Sequence, residues 1–183
     1  MRRVTPLLGT LAVVTMLAAG CAGATTTVAR PLKTKPAGTA KTDSPVVVPA
    51  SLKFSGRTLD GKPFDAASLA GKPVVLWFWA PWCATCMGQA SEVHDIGTRY
   101  AGRVNVLGVA GLDQSVPAMK QFVVDADVAN VPHLDDKAGV LYRRFNITEQ
   151  STFVLINRSG KVMATSYLDT VTLGDWAAYL DKH

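Results

Sequence analysis

From residue 51 onward, the chain alternates short uncharged apolar runs with longer stretches in which apolar residues recur every three or four positions. The run at 74–79, Val-Val-Leu-Trp-Phe-Trp, predicts a strand that is buried on both faces of a sheet. The runs at 104–109 and 152–156 predict two more strands, and residues 133–134 predict a short one. The longer stretches predict helices over residues 84–100, 115–125, 137–145 and 173–180.

Turn residues connect these elements and set the expected topology. Residues 157–160, Asn-Arg-Ser-Gly, predict a hairpin turn into a last strand at 161–165. Near the start of the domain, the segments 52–54 and 57–59, which flank Ser55-Gly56, and a turn at 60–62 predict a β-hairpin region. A short helical turn should follow and end at Gly71. Early crossovers and a late hairpin together predict an α/β fold with a mixed central sheet flanked by helices.

The first fifty residues differ from the rest. A basic start and an apolar stretch at 7–19 are typical of a signal peptide, and the stretch is short for a membrane span. The sequence at 17–21, Leu-Ala-Ala-Gly-Cys, resembles a bacterial lipobox. It predicts a signal peptide at 1–20 with Cys21 as the lipidated residue. The alternative is an ordinary secretory signal with an incidental cysteine. Residues 21–50, rich in Ala, Thr, Pro and Lys, predict a flexible tether before one domain at 51–183.

The formal net charge of +5 belongs to this N-terminal part. The first fifty residues hold six basic side chains and one acidic side chain, so residues 51–183 are neutral overall. The basic isoelectric point therefore does not predict a nucleic-acid partner. A basic tether instead suits a membrane surface with anionic headgroups.

Three cysteines are present, and assigning Cys21 to lipid leaves the pair Cys83 and Cys86. This C-x-x-C follows the buried strand and Pro81, so Cys83 is expected at the N-terminus of the next helix. Unpaired N–H groups and the helix dipole there lower the pKa of a thiol, and a second cysteine can resolve a mixed disulfide. A metal site would need more sulfur or histidine ligands, so none is predicted.

The motif Trp77-Phe78-Trp79-Ala80-Pro81-Trp82-Cys83, with Cys86, resembles exported thioredoxin-like proteins of the TlpA/DsbE type, especially the actinobacterial DsbE and DsbF proteins. The resemblance implies a thioredoxin fold with an N-terminal hairpin extension and an inserted segment. It also implies that Cys83 is the nucleophile and Cys86 the resolving residue. No cofactor is expected beyond the redox-active Cys83–Cys86 disulfide.

The chain departs from that family where prolines are usual, at Ala84, Ser91 and Ser151. Ser151 falls where a cis-proline normally faces the cysteine pair. A cis bond before a non-proline residue costs about 2.5–4 kcal/mol, so we predict a trans Gln150–Ser151 bond and altered substrate docking. Serine also brings a hydroxyl near the sulfurs. Trp82, Gln150 and Ser151 are the predicted substrate contacts.

Two further departures remove the usual proton acceptors for Cys86. Gln89 stands where the family often has glutamate, and Trp77 stands where cytoplasmic thioredoxins have a buried aspartate. Glu149, beside the Ser151 loop, is a weak alternative base.

Three other residues are of a type that can take part in an active site, namely His94, His133 and Asp113. His94 and His133 are predicted to be structural. Asp113, after a strand end, could bind a ligand or cap a turn.

The sequence thus predicts a lipid-anchored thiol–disulfide oxidoreductase on the extracytoplasmic side of the cell membrane. Its partners would be the thiols or disulfides of exported proteins and a membrane redox partner that the sequence does not identify. The oxidase direction is favoured by the resemblance. Two alternatives stay open: a reductase for apocytochrome c or similar clients, and a non-enzymatic thioredoxin-fold metal or haem chaperone.

Overall fold

The computed structural model describes residues 47–183. The predicted signal peptide, the lipidation site Cys21 and residues 21–46 of the predicted tether lie outside the described residues. The strands are β1 (Ser55–Arg57), β2 (Pro63–Asp65), β3 (Val74–Trp79), β4 (Asn105–Ala110), β5 (His133–Asp135), β6 (Thr152–Ile156) and β7 (Val162–Tyr167). The α-helices are α1 (Ala84–Arg99), α2 (Val116–Asp125), α3 (Val140–Arg144) and α4 (Thr170–Lys182).

Five strands form the mixed sheet that the sequence predicts, in the order β5-β4-β3-β6-β7. β3 and β5 each pair with β4 in parallel, whereas β6 pairs antiparallel with both β3 and β7. The strand β3 is the central strand of the sheet. All six of its residues are buried, because other elements pack against both of its faces. Its C-terminal end leads directly to the cysteine pair.

Alternate residues of β3 enter two separate hydrophobic cores. Val75, Trp77 and Trp79 face the core that receives the apolar residues of α1, α2 and α4. Val74, Leu76 and Phe78 face a second core, which α3 and the N-terminal segment cover. On the first side, the ring of Trp79 stacks on Phe122 with centroids 4.4 Å apart. The three consecutive aromatic residues of β3, Trp77, Phe78 and Trp79, are therefore core residues, and their packing holds the C-terminal end of the strand in place.

Local structure departs from the sequence prediction mainly at α3 and at the N-terminal hairpin. The helix predicted at 137–145 is only Val140–Arg144, because the Asp136 carboxylate accepts hydrogen bonds from the N–H groups of Leu141 and Tyr142. The hairpin exists, but its paired strands are β1 and β2, joined around Gly61. No helix within residues 47–183 has both the length and the apolar character needed to cross a membrane.

The buried histidine His133 is structural, as expected. The indole N–H of Trp79 can only donate, so Nδ1 of His133 accepts its hydrogen bond at 3.2 Å. The other ring nitrogen, Nε2, then donates to the carbonyl oxygen of Val128 at 2.9 Å. The imidazole is therefore neutral, and burial lowers the pKa of His133 to about 4.

This pKa makes His133 a source of acid sensitivity. Between about pH 6.5 and pH 4 the unfolded chain takes up a proton on this ring while the folded chain does not, so stability falls as the pH falls. The full loss should be roughly 3 kcal/mol. Denaturant unfolding at a series of pH values should show this slope, and His133→Gln should remove that part of it. An unchanged slope in the variant would contradict the assignment.

Candidate active site

The first functional residue, Cys83, caps the N-terminus of α1. Its extended backbone precedes the helix, and its Sγ accepts a hydrogen bond from the N–H of Cys86 at 3.0 Å. The first turn of α1 contains no acidic residue whose negative charge would destabilise a thiolate on Cys83. The helix position predicted for Cys83 is confirmed, and this position favours a thiolate in the reduced protein.

Cys83 and Cys86 are joined in a disulfide, with Cα atoms 5.3 Å apart. The two sulfur-bearing residues differ in accessibility: Cys83 is 5% exposed, whereas Cys86 is 0% exposed. An incoming thiolate must reach a sulfur along the axis of the disulfide bond, so accessibility decides which sulfur it attacks. Cys83 is the more accessible residue of the two.

Ser151 lies directly against the disulfide. Its Oγ is 3.1 Å from Sγ of Cys83 and 3.2 Å from Sγ of Cys86. Disulfide sulfurs carry no hydrogen, so the hydroxyl is the donor to whichever sulfur it faces. The Gln150–Ser151 bond is trans, as predicted, since no peptide bond within residues 47–183 is cis. Ser151 instead has a φ of 64°, in the left-handed region.

Gln89 occupies the site at which the family pattern predicts a carboxylate. It is 2% exposed, and both the oxygen and the nitrogen of its side-chain amide are hydrogen-bonded. Oε1 accepts from the indole N–H of Trp77 at 3.1 Å. Nε2 donates to the carbonyl oxygens of Ser151 at 3.2 Å and Leu168 at 2.9 Å. The sequence marked Gln89 as a departure but did not reveal these partners, because Leu168 and Ser151 are distant along the chain.

The remaining candidates lie outside this contact network. Glu149 is exposed, and among the described residues no hydrogen bond links its carboxylate to Cys86. His94 contacts the main chain of Asp127. Asp113 accepts a hydrogen bond from the N–H of Ser115, which supports the turn-capping alternative. Gln150 is half-buried beside Ser151.

Trp82 is the exposed aromatic residue next to Cys83. It is 57% exposed, and its indole N–H donates to the carbonyl oxygen of Leu112 at 3.3 Å. Together with Met87 and Phe122 it lines a shallow pocket of about 300 Å³. The contact between Trp82 and Leu112, whose φ of 55° is positive, was not predictable from the sequence, because the two residues lie 30 positions apart. This surface is available for a polypeptide that approaches Cys83.

Metal binding needs several donor side chains close together. In the part of the chain that the structure describes, no group of three or more His, Cys, Asp or Glu side chains is arranged to hold one. The polar groups that contact the disulfide sulfurs are the Ser151 hydroxyl and the N–H of Cys86. The arrangement is suited to exchange at sulfur, with hydrogen-bond donors on one side and an apolar surface on the other.

A mixed sheet with a C-x-x-C disulfide at the start of the helix after its central strand defines a thioredoxin-like thiol–disulfide oxidoreductase. The chain belongs to the AhpC/TSA family, whose model matches residues 48–165. This membership and the relatives described next confirm the thioredoxin-like fold and the enzyme class that the sequence predicts.

Individual relatives agree with this assignment. The soluble secreted antigen MPT53 of Mycobacterium tuberculosis is 38% identical over 123 residues, which are 67% of this chain and 69% of MPT53. The solved structure of MTB DsbF, in mixed oxidized and reduced forms, superposes with a TM-score of 0.68 at 40% identity. It covers 73% of this chain and 99% of DsbF.

A second solved structure is that of a secreted Mycobacterium tuberculosis disulfide oxidoreductase homologous to E. coli DsbE. It has a TM-score of 0.64 and 34% identity, and it covers 71% of this chain and 98% of its own. The resemblance to exported DsbE and DsbF proteins is therefore confirmed.

Proposed function

We propose that Cys83 exchanges with protein substrates and that Cys86 is the resolving cysteine. The accessibility of the two residues supports these roles, because Cys83 is 5% exposed and Cys86 is 0% exposed. A substrate thiolate would bond to Sγ of Cys83 while the Cys83–Cys86 bond breaks and its electron pair moves to Cys86. A second substrate thiolate then displaces Cys83. The substrate dithiol loses two electrons and the cysteine pair gains them.

We propose that the oxidase direction is the physiological one. The single observation that carries this proposal is the set of donors around Cys83, namely the Cys86 N–H at 3.0 Å and the Ser151 hydroxyl at 3.1 Å, at the N-terminus of α1. Both donors stabilise a thiolate more than a disulfide sulfur, so they favour the reduced protein. A stabilised reduced form makes the disulfide a stronger oxidant.

The site needs no cofactor in this proposal, because the Cys83–Cys86 disulfide itself accepts the two electrons. Trp82, Gln150 and Ser151 would form the contact surface for the substrate chain. Trp82 supports this role by its exposure beside Cys83, and Ser151 by its position against both sulfurs.

We place the enzyme on the extracytoplasmic face of the cell membrane, held by lipid on Cys21. The support is the lipobox-like sequence at 17–21 and the basic tether that follows it. MPT53 is described as secreted, which agrees with export of this chain. Clients would then be the thiols and disulfides of exported proteins.

The direction can be tested with a peptide that contains two cysteine thiols. The oxidised protein should convert the peptide to its disulfide stoichiometrically, and the reduced protein should leave most insulin disulfides intact. Rapid insulin reduction with little peptide oxidation would contradict the oxidase proposal.

The anchor is tested separately, by comparing the full chain with Cys21→Ala in a lipoprotein-processing bacterium. The unchanged protein should sediment with membranes, and the variant should lose that association. Equal membrane association of both proteins would contradict lipidation at Cys21.

A further inference from the structure

We propose that the Ser151 hydroxyl is a catalytic hydrogen-bond donor to Cys86 as this sulfur leaves the disulfide, and that Gln89 is the residue that positions it. The inference rests on the proposed function in one respect, the attack of substrate at Cys83. In that step the new bond forms at Sγ of Cys83, the old bond to Cys86 breaks, and Cys86 receives the electron pair. Ser151 keeps its proton and stabilises the new charge.

The position of the hydroxyl supports this role. Its Oγ lies 3.2 Å from Sγ of Cys86, in a place where both residues are buried. A leaving thiolate there has little access to water, so a fixed donor provides more stabilisation than it would in solvent. The same oxygen is 3.1 Å from Sγ of Cys83. It can therefore turn to Cys83 when that sulfur leaves in the second step.

The backbone at Ser151 shows that this position needs support from its neighbours. A φ of 64° is uncommon for a residue with a Cβ, since the side chain crowds the following carbonyl. Such a conformation persists where surrounding contacts hold it in place. The Ser151 carbonyl oxygen is held by Nε2 of Gln89 at 3.2 Å.

The orientation of the Gln89 amide is set by its partners. The indole N–H of Trp77 can only donate, so it requires the oxygen of Gln89, and the two amide hydrogens must face the carbonyls of Ser151 and Leu168. Gln89 thereby ties α1 to the chain entering β6 and to the chain leaving β7. An ionised glutamate could not do this, because a carboxylate has no hydrogen to donate to two carbonyl oxygens.

The two departures from the family pattern therefore meet in one contact, from Nε2 of Gln89 to the carbonyl of Ser151. In place of a carboxylate that accepts the proton of Cys86, the chain presents a hydroxyl that donates to its sulfur. Restoring glutamate at position 89 should consequently slow the enzyme.

The test measures one turnover of the oxidised full-length protein with a reduced dithiol peptide. Ser151→Ala and Ser151→Gly should both react about tenfold more slowly, since each lacks a hydrogen bond to a charged group. Glycine removes the left-handed strain and alanine keeps it, so equal losses assign the effect to the hydroxyl. Ser166→Ala, an exposed serine on β7, is the matched control and should react at the wild-type rate.

A second readout follows the Cys86 thiol itself. With both Cys21→Ala and Cys83→Ala in the background, ultraviolet thiolate absorbance reports Cys86 alone, and Ser151→Ala should raise the pKa of Cys86. Wild-type turnover in Ser151→Ala and Ser151→Gly, or an unchanged pKa of Cys86, would overturn the role of the hydroxyl.

Gln89 is tested by a double-mutant cycle. Gln89→Glu should slow the reaction, yet the double variant with Ser151→Ala should be no slower than Ser151→Ala alone, because Gln89 acts through Ser151. Gln114→Glu is the control, an exposed amide that also donates to a main-chain carbonyl. If Gln89→Glu does not fold, Gln89→Met replaces it. Additive losses in the cycle would overturn the positioning role.

These outcomes are separate from the direction of the physiological reaction. The rate ratio between Ser151→Ala and the wild-type protein can be measured whichever direction the reduction potential favours. A low reduction potential of the Cys83–Cys86 couple would contradict the oxidase proposal without changing the rate ratio. A ratio of one would overturn the role of Ser151 and leave the potential intact.

Discussion

Replacing Cys83 by serine should abolish disulfide exchange, with no detectable oxidation of a dithiol peptide and no reduction of insulin. The physical reason is that the chain then lacks the only sulfur of the pair that a substrate can reach, since Cys86 is 0% exposed. The assay is peptide oxidation followed by mass, with circular dichroism as a check that the variant is folded. Activity equal to that of the wild-type protein would refute the assignment of Cys83.

Cys86→Ser is the informative companion to this change. In this variant the Cys83 thiolate can attack a substrate disulfide, but no second sulfur is present to release the bound substrate, so a mixed disulfide with an oxidised substrate such as insulin should accumulate and be visible on a non-reducing gel. The reverse pattern, with stable mixed disulfides only in Cys83→Ser, would exchange the two roles.

Reduction of the disulfide should make the folded protein more stable, by about 2 kcal/mol, which is opposite to the effect expected for a structural disulfide. The disulfide closes only the loop of residues 83–86, and the entropy of closing so short a loop favours the oxidised form by about 2 kcal/mol. In the reduced form, the N–H of Cys86 and the hydroxyl of Ser151 can each donate to the Cys83 thiolate.

Hydrogen bonds to a charged group contribute about 1.5–3 kcal/mol each, and a helix N-terminus adds about 0.3–1 kcal/mol. The sum of these contributions exceeds the stabilisation that loop closure gives the oxidised form, so the reduced form should have the larger free energy of unfolding. Denaturant unfolding in the presence and absence of a reductant measures the difference. Ser151→Ala should reduce this difference in unfolding free energy, because the Cys83 thiolate then loses one hydrogen-bond donor. A more stable oxidised form would contradict the account of thiolate stabilisation.

Much of the site was predictable from local sequence. The uncharged run at 74–79 could only be a strand buried on both faces, and a cysteine pair after Pro81 placed Cys83 at a helix N-terminus. The trans bond before Ser151 followed from the cost of a cis bond without proline. These predictions succeeded because each depends on neighbouring residues in the chain.

The contacts that give the site its particular chemistry were not predictable in this way. Gln89 reaches Ser151 and Leu168, which lie 62 and 79 positions away along the chain. The hydrogen bond between Trp79 and His133 spans 54 positions. The short α3 had a similar cause, since the carboxylate of Asp136 starts this helix later than periodicity indicates. Side-chain hydrogen bonds of this kind leave no periodic pattern.

The reduction potential of the Cys83–Cys86 couple tests the central claim most directly, because it measures the balance between disulfide and stabilised thiolate. Equilibration with glutathione buffers of known ratio gives the value. The donors at Cys83 predict a potential near about −120 mV, that of a strong oxidant. A potential near about −270 mV, that of a reductant, would contradict the account.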